Sequence, residues 1–133
     1  MAVCFKITIV IFLDTSILID SLTGLKHSGP AIRRILDRGE RILLPTVTLY
    51  EWLRGPRTKE ELAVQETMFP IASAVPFGPE EAVLAAHLCR SVRRPRGRDA
   101  DLAIAACAIR YDAELWTLNV ADFKDIPGLR LIR

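Results

Sequence analysis

The segment Ile7-Thr-Ile-Val-Ile-Phe-Leu-Asp14 decides the fold. From Ile7 to Leu13 every residue is apolar or β-branched. Such a run suits the central strand of a parallel sheet covered on both faces. It stops abruptly on a carboxylate. In open α/β sheets, ligands bind outside the carboxyl ends of the strands. Asp14 is therefore expected at that edge, facing the crevice. The plainer reading is a helix N-cap ahead of Ser16 and Ile17, and position alone leaves both open.

Upstream, Lys6 and the apolar run faintly resemble a signal peptide. The run is short, ends on Asp14 and lacks a clean small-residue cleavage site. It also falls far short of the ~20 apolar residues of a membrane span. Residues 1–10 are read as an N-terminal extension plus the start of the first strand, and no membrane association is expected.

Downstream, the pattern alternates. Helices are predicted over Ser16–Leu22 and Ala31–Arg38, the latter with Ile32, Ile35 and Leu36 on one stripe and Gly39 as its stop. Arg41–Leu44 is a second strand, halted by Pro45. Thr46–Leu53 and Lys59–Phe69 read as helices, and Ala72–Phe77 as a third strand. Pro79 suits the first position of a helix running to about Val92. Arg93–Arg98 is a basic loop, Asp99–Tyr111 an apolar helix, and Glu114–Thr117 and Leu129–Ile132 the last two strands. Strands alternating with helices predict an α/β fold of one domain, residues 1–133, with a mainly parallel sheet of four to five strands between helical layers.

Composition agrees with an ordinary globular chain. It has 133 residues, half of them hydrophobic and about a quarter charged. A net charge of +2 makes no case for a nucleic-acid partner by itself. The distribution is more telling, because Arg90, Arg93, Arg94, Arg96 and Arg98 crowd together with no acid among them. The three cysteines, Cys4, Cys89 and Cys107, are widely spaced, and His27 and His87 stand alone. No disulfide framework or zinc site follows. Reduced thiols in a cytoplasmic protein are expected.

The acids carry the chemistry. Glu51 follows Thr48 at the spacing of a capping box. Yet Pro45 and Thr46 already start that helix, which leaves Glu51 among Leu49, Tyr50, Trp52 and Leu53, where an unpaired carboxylate is costly. Asp101 borders an apolar helix face of small residues. Asp99, two positions earlier, points nearly the opposite way and reads as the N-cap. Asn119 and Asp122 fall just past a strand end, where turn chemistry is the plainer reading. Carboxylates without basic partners share a pocket only by protonating or binding a cation. Oxygen ligands without His or Cys select Mg²⁺ or Mn²⁺, ions that assist phosphodiester cleavage.

The segments LDTSILID, PTVTLYEWLRG, DADLAIAACAIRYDAELWTLNVADF and PGLRLI together resemble the PIN-domain family, and within it the VapC-type ribonuclease toxins of toxin–antitoxin pairs. The likeness runs from about Ile11 to Arg133 in the family's order and spacing. It implies a three-layer α/β/α fold, a Mg²⁺- or Mn²⁺-dependent endoribonuclease, a homodimer, and an inhibiting antitoxin partner. On this resemblance Asp14, Glu51 and Asp101 match the first three acidic positions and hold the metal. Asn119 occupies the fourth, with Asp122 or Asp99 supplying the missing charge. Thr15, Ser16 and Thr117 match residues that order the site. Transfer RNA or ribosomal RNA is the substrate class implied.

Arg93, Arg94, Arg96 and Arg98 are expected to meet RNA phosphates, since they lead into the Asp99–Asp101 region. The plainer alternative is a solvated helix end. Arg54 is placed to contact substrate or pair with a carboxylate. Trp52, Trp116, Phe77 and Phe123 are expected in the core. Two competing functions remain. A receiver-like phosphoacceptor needs an acidic pair and a late-strand lysine, but Asp14 has no acidic neighbour and Lys124 sits in the wrong context. A PIN-like binding protein without catalysis is kept open by the amide at position 119.

Overall fold

The computed structural model describes residues 9–24 and 27–132. The expectations for residues 1–8, including Cys4 and the first two residues of the apolar run, lie outside that range. Among the described residues four strands form one sheet: β1 (Val10–Leu13), β2 (Arg41–Leu43), β3 (Glu114–Trp116) and β4 (Arg130–Leu131). Their order is β2-β1-β3-β4, and every pairing is parallel. Six helices of the described residues surround them: α1 (Thr15–Leu22), α2 (Gly29–Asp37), α3 (Thr46–Leu53), α4 (Lys59–Met68), α5 (Pro79–Ser91) and α6 (Asp99–Arg110). None of the described helices is long and apolar enough to cross a membrane.

The strand pleat splits the apolar residues into two cores. Ile11, Leu13, Ile42 and Leu44 face one side, with Ile17, Leu18 and Leu22 of α1, Ile32 of α2, and Leu49 and Trp52 of α3. Phe12 and Leu115 face the other, with Leu88 of α5 and Leu102, Ile104 and Ala105 of α6. This is the three-layer α/β/α arrangement. A continuous apolar run was required for β1 because both its faces are covered. Helix α6 is made of small residues for a related reason. Ala105, Ala106, Cys107 and Ala108 are fully buried, and their short side chains bring its backbone close to both the sheet and α5.

The third predicted strand is corrected. Ile71–Ser73 forms a 3₁₀ turn instead. Only Val75 pairs, donating its N–H to the Leu44 carbonyl and accepting from the Thr46 N–H, both at 2.8 Å. That single parallel bridge lies opposite Pro45. Pro45 and Pro76 have no N–H with which to lengthen a ladder, so the stretch stays a one-residue appendage of β2 and the sheet has four strands. Phe77 is also exposed rather than in the core, whereas Trp52 and Phe123 are fully buried and Trp116 is half-buried.

The sheet order places a switch point at β1. From β1 the chain crosses to β2 on one side and returns to β3 on the other. The register pairs Leu13 with Trp116, so β1 and β3 end level. Residues immediately after them, Asp14 and Thr117, share one edge. That is the crevice where α/β sheets bind ligands.

Candidate active site

Asp14 is 4% exposed and sits in this crevice. Its backbone N–H extends the β1–β3 ladder, donating to the Trp116 carbonyl at 3.0 Å. It occupies the cap position of α1, but its side chain caps nothing. Oδ2 accepts instead from Ser16 Oγ at 2.8 Å and Thr117 Oγ1 at 2.7 Å. Those hydroxyls also take backbone donors: Leu118 N–H reaches Ser16 Oγ at 3.1 Å and Asn119 N–H reaches Thr117 Oγ1 at 2.9 Å. A polar web thus ties the start of α1 to the segment after β3 and fixes the rotamer of Asp14. Oδ1 takes no hydrogen bond among the described residues.

Glu51 is brought in by α3, which packs on α1 and α6. The capping-box spacing with Thr48 does not form a box. Thr48 is fully buried, and its hydroxyl donates to the Leu13 carbonyl at 2.9 Å. This bond joins α3 to the residue just before Asp14, and it sets Glu51 one helical turn further along, toward the sheet's carboxyl edge. Oε1 of Glu51 accepts from Thr15 Oγ1 at 2.6 Å, and Arg54 Nη2 stands 3.5 Å from Oε2. The bond from Thr48 to Leu13 leaves no local signal in the sequence, because the partners lie 35 residues apart.

Asp101 is half-buried in the first turn of α6 and has no hydrogen-bond or ion-pair partner among the described residues. Burial, followed by the charges of Asp14, Asp122 and Glu51, pushes its carboxyl up from 3.8 to about 6, with Arg98 pulling the other way. The four acids therefore share one electrostatic neighbourhood. Asp122 is exposed in the 3₁₀ turn Val120–Asp122, with Asn119 at its start.

Asp99 stands apart. It is the first residue of α6 rather than its cap, which is Arg98. It is exposed, beside a hollow formed with Phe77, Cys89 and Leu102, and it does not figure among the charges that perturb Asp101.

The arginines divide. Arg93, Arg94 and Arg96 are exposed and form no ion pair among the described residues, whereas Arg98 is paired with Asp125. A hollow lined by Arg93, Arg94, Arg98, Ala121, Asp122 and Asp125 connects the basic loop with the acidic turn. Another hollow lies over α5 and the last turn of α6, at Val83, His87 and Arg110, and none of Asp14, Glu51, Asp101 or Asp122 lines it.

As the side chains stand, no three His, Cys, Asp or Glu groups among the described residues are close enough to hold one metal ion. Mutual repulsion favours this spread, with Glu51 resting on Thr15 and Asp14 on two hydroxyls. The donor set nevertheless fits a hard divalent cation. It is all oxygen, it includes the unpartnered Asp101, and the nearby cations Arg54 and Arg98 lie at its margins.

Comparison with known proteins adds sequence and fold relatives. The PIN domain profile matches residues 11–129. Ribonuclease VapC19 of Mycobacterium tuberculosis is 33% identical over 120 residues, covering 89% of this chain and 95% of that protein. Ribonuclease VapC of Rickettsia bellii is 30% identical over 131 residues, covering 92% and 94%. Among solved structures, VapBC2 from Rickettsia felis bound to a DNA fragment from their promoter superposes with a TM-score of 0.75 at 22% identity, covering 93% of this chain and 98% of that one. At that identity the likeness is one of fold.

Proposed function

This chain belongs to the PIN-domain family, within its VapC ribonucleases, and from that premise we propose that it is a divalent-metal-dependent endoribonuclease, the toxin of a toxin–antitoxin pair, working on RNA in the cytoplasm. The observation that carries the proposal is the half-buried, unpartnered Asp101, raised to about 6 by burial and by three other carboxylates. A group so perturbed in a crevice is a functional candidate.

In this reading Asp14, Glu51 and Asp101 hold Mg²⁺ or Mn²⁺. When bound, the cation supplies the Lewis acidity and charge neutralisation that phosphodiester cleavage requires. The chain's own residues do the rest. Ser16 and Thr117 fix Asp14 through Oδ2 and leave Oδ1 free to face a ligand. Thr15 holds Glu51 through Oε1. Asp122 supplies the fourth negative charge in place of the amide Asn119, a reading supported by its rank among the charges acting on Asp101, and its exposed carboxylate is the candidate to accept a proton. Arg93, Arg94 and Arg96 neutralise RNA phosphates beside the acids. The VapBC2 complex among the fold relatives favours an antitoxin as partner, and a homodimer is the assembly proposed with it.

The amide at 119 favours one alternative, a PIN-like regulator without catalysis. One experiment separates the two. Purified chain is incubated with structured RNA in Mg²⁺, in Mn²⁺ and in EDTA, beside folded Asp14→Asn. Cleavage by the wild type that EDTA and the substitution both abolish is expected. Full cleavage by folded Asp14→Asn overturns the proposal, and an inert wild type favours the regulator.

A further inference from the structure

The basic loop ends in an arginine that behaves unlike its neighbours. Arg98 is at the cap position of α6, and its carbonyl accepts the first helical hydrogen bond, from Leu102 N–H at 2.9 Å. Its side chain is only 15% exposed. Nη1 donates to Asp125 Oδ2 at 2.9 Å and Nη2 to Asp125 Oδ1 at 2.6 Å. Nη2 also donates to the Asp122 carbonyl at 2.8 Å. A planar guanidinium fork on a carboxylate is the strongest geometry such a pair has.

Apart from a long contact of 3.5 Å from Nη1 to the Arg94 carbonyl, the partners of this fork lie in the turn that carries Asn119 and Asp122. The same turn is anchored on its other side by Phe123 and Ile126, both buried in the core. The apolar anchors hold the turn to the body of the domain. Arg98 holds it to the start of the helix that carries Asp101. A guanidinium committed in this way has little left to offer a phosphate.

We propose that Arg98 and Asp125 form a clamp that positions the 119–125 turn against the first turn of α6, and that Arg98 is a positioning residue for the acidic cluster and not a contact to RNA. The proposal rests on the ribonuclease reading above and deepens it. Lysine cannot reproduce the fork, because its ammonium is a point charge without planar bidentate geometry.

The test compares Arg98→Gln, Arg98→Lys, Asp125→Asn and the double variant Arg98→Gln/Asp125→Asn, all as the full chain. Phe123 and Ile126 keep the turn attached, so all should fold, with circular dichroism and thermal melts as the check. A clamp predicts that kcat for RNA cleavage falls about 10- to 100-fold in Arg98→Gln. It predicts a similar fall in Asp125→Asn and no further fall in the double variant. KM and the salt dependence of RNA binding stay as in the wild type. Arg98→Lys recovers part of the loss, and amide exchange at Phe123, Lys124 and Ile126 speeds up in each variant.

A phosphate contact predicts otherwise. Arg98→Gln would act through KM and flatten the salt slope by about 0.7 on single-stranded RNA, while Asp125→Asn would leave kcat alone or improve binding. Either of those results overturns the clamp, as does unchanged amide exchange. A wild type that cleaves no RNA sinks the ribonuclease reading and the catalytic half of this one. The exchange measurement still decides whether the clamp exists.

Discussion

Replacing Asp101 by asparagine should make the metal-free protein more stable at neutral pH while destroying its activity. The folded-state carboxyl titrates near 6 instead of 3.8, so the native state binds this proton more tightly than the unfolded chain does. Its contribution to stability is complete below about pH 3.8 and is lost as the pH rises through 6. A displacement of about 2 units corresponds to a ceiling of roughly 3 kcal/mol. The group is half-exposed, so solvent screening reduces this to about 1.5 kcal/mol. Its place in the first turn of α6 opposes the effect, since the helix dipole favours a negative charge there by about 0.5 kcal/mol.

About 1 kcal/mol remains, or roughly 4 °C in Tm for a domain of this size. Melts of wild type and Asp101→Asn in EDTA should therefore differ by that amount at pH 8, with the variant higher. The gap should close by pH 4. Adding 10 mM Mg²⁺ should raise the wild type and leave the variant nearly unmoved, because a ligand stabilises only what binds it. A variant that melts below the wild type at pH 8 in EDTA, or a gap indifferent to acid, refutes the reasoning.

Three other variants test the scaffold and the proposed RNA-binding surface. Thr48→Val keeps the shape of a fully buried side chain and removes its bond to the Leu13 carbonyl; urea unfolding should register a loss of about 1–2 kcal/mol, with cleavage falling more than stability because Glu51 loses its registration. Thr117→Val leaves Asp14 Oδ2 with Ser16 as its remaining hydroxyl donor; a similar destabilisation of about 1–2 kcal/mol is expected by the same measurement, with a lower kcat at unchanged RNA affinity. Replacing Arg93, Arg94 and Arg96 together by glutamine should weaken RNA binding across all sequences and flatten its salt slope by about 2 in filter-binding titrations, leaving the melting curve in place.

The layers were legible because they rest on local pattern. The apolar stretch around Phe12, the stripe of Ile32, Ile35 and Leu36, and the alanine-rich α6 each announce their surroundings through periodicity alone. Ala72–Phe77 misled because Val75 is strand-like in character, while proline on either side of the bridge removes the donors that a ladder needs. Asp14 and Asp101 were singled out as carboxylates at a strand end and a helix start, and Glu51 as one set among apolar neighbours inside a helix. Their support could not be. Thr48 meets Leu13, and Arg98 meets Asp125 27 residues on; such pairings depend on which elements pack together and leave no periodic trace. At Asp99 the helix boundary lies one position off the sequence reading, because Arg98 takes the cap and Asp99 is the first helical residue.

The crevice is assembled from segments far apart in the chain. Asp14 belongs to the first strand of the sheet, while Thr117, which holds it, follows the third. A ribosome that has delivered three-quarters of the chain has made the acid but not the hydroxyl that aims it, nor the strand that walls its crevice. On the ribonuclease reading, a chain that stops short of Thr117 lacks part of this crevice, and RNA cleavage is expected only once β3 and the residue after it have been made.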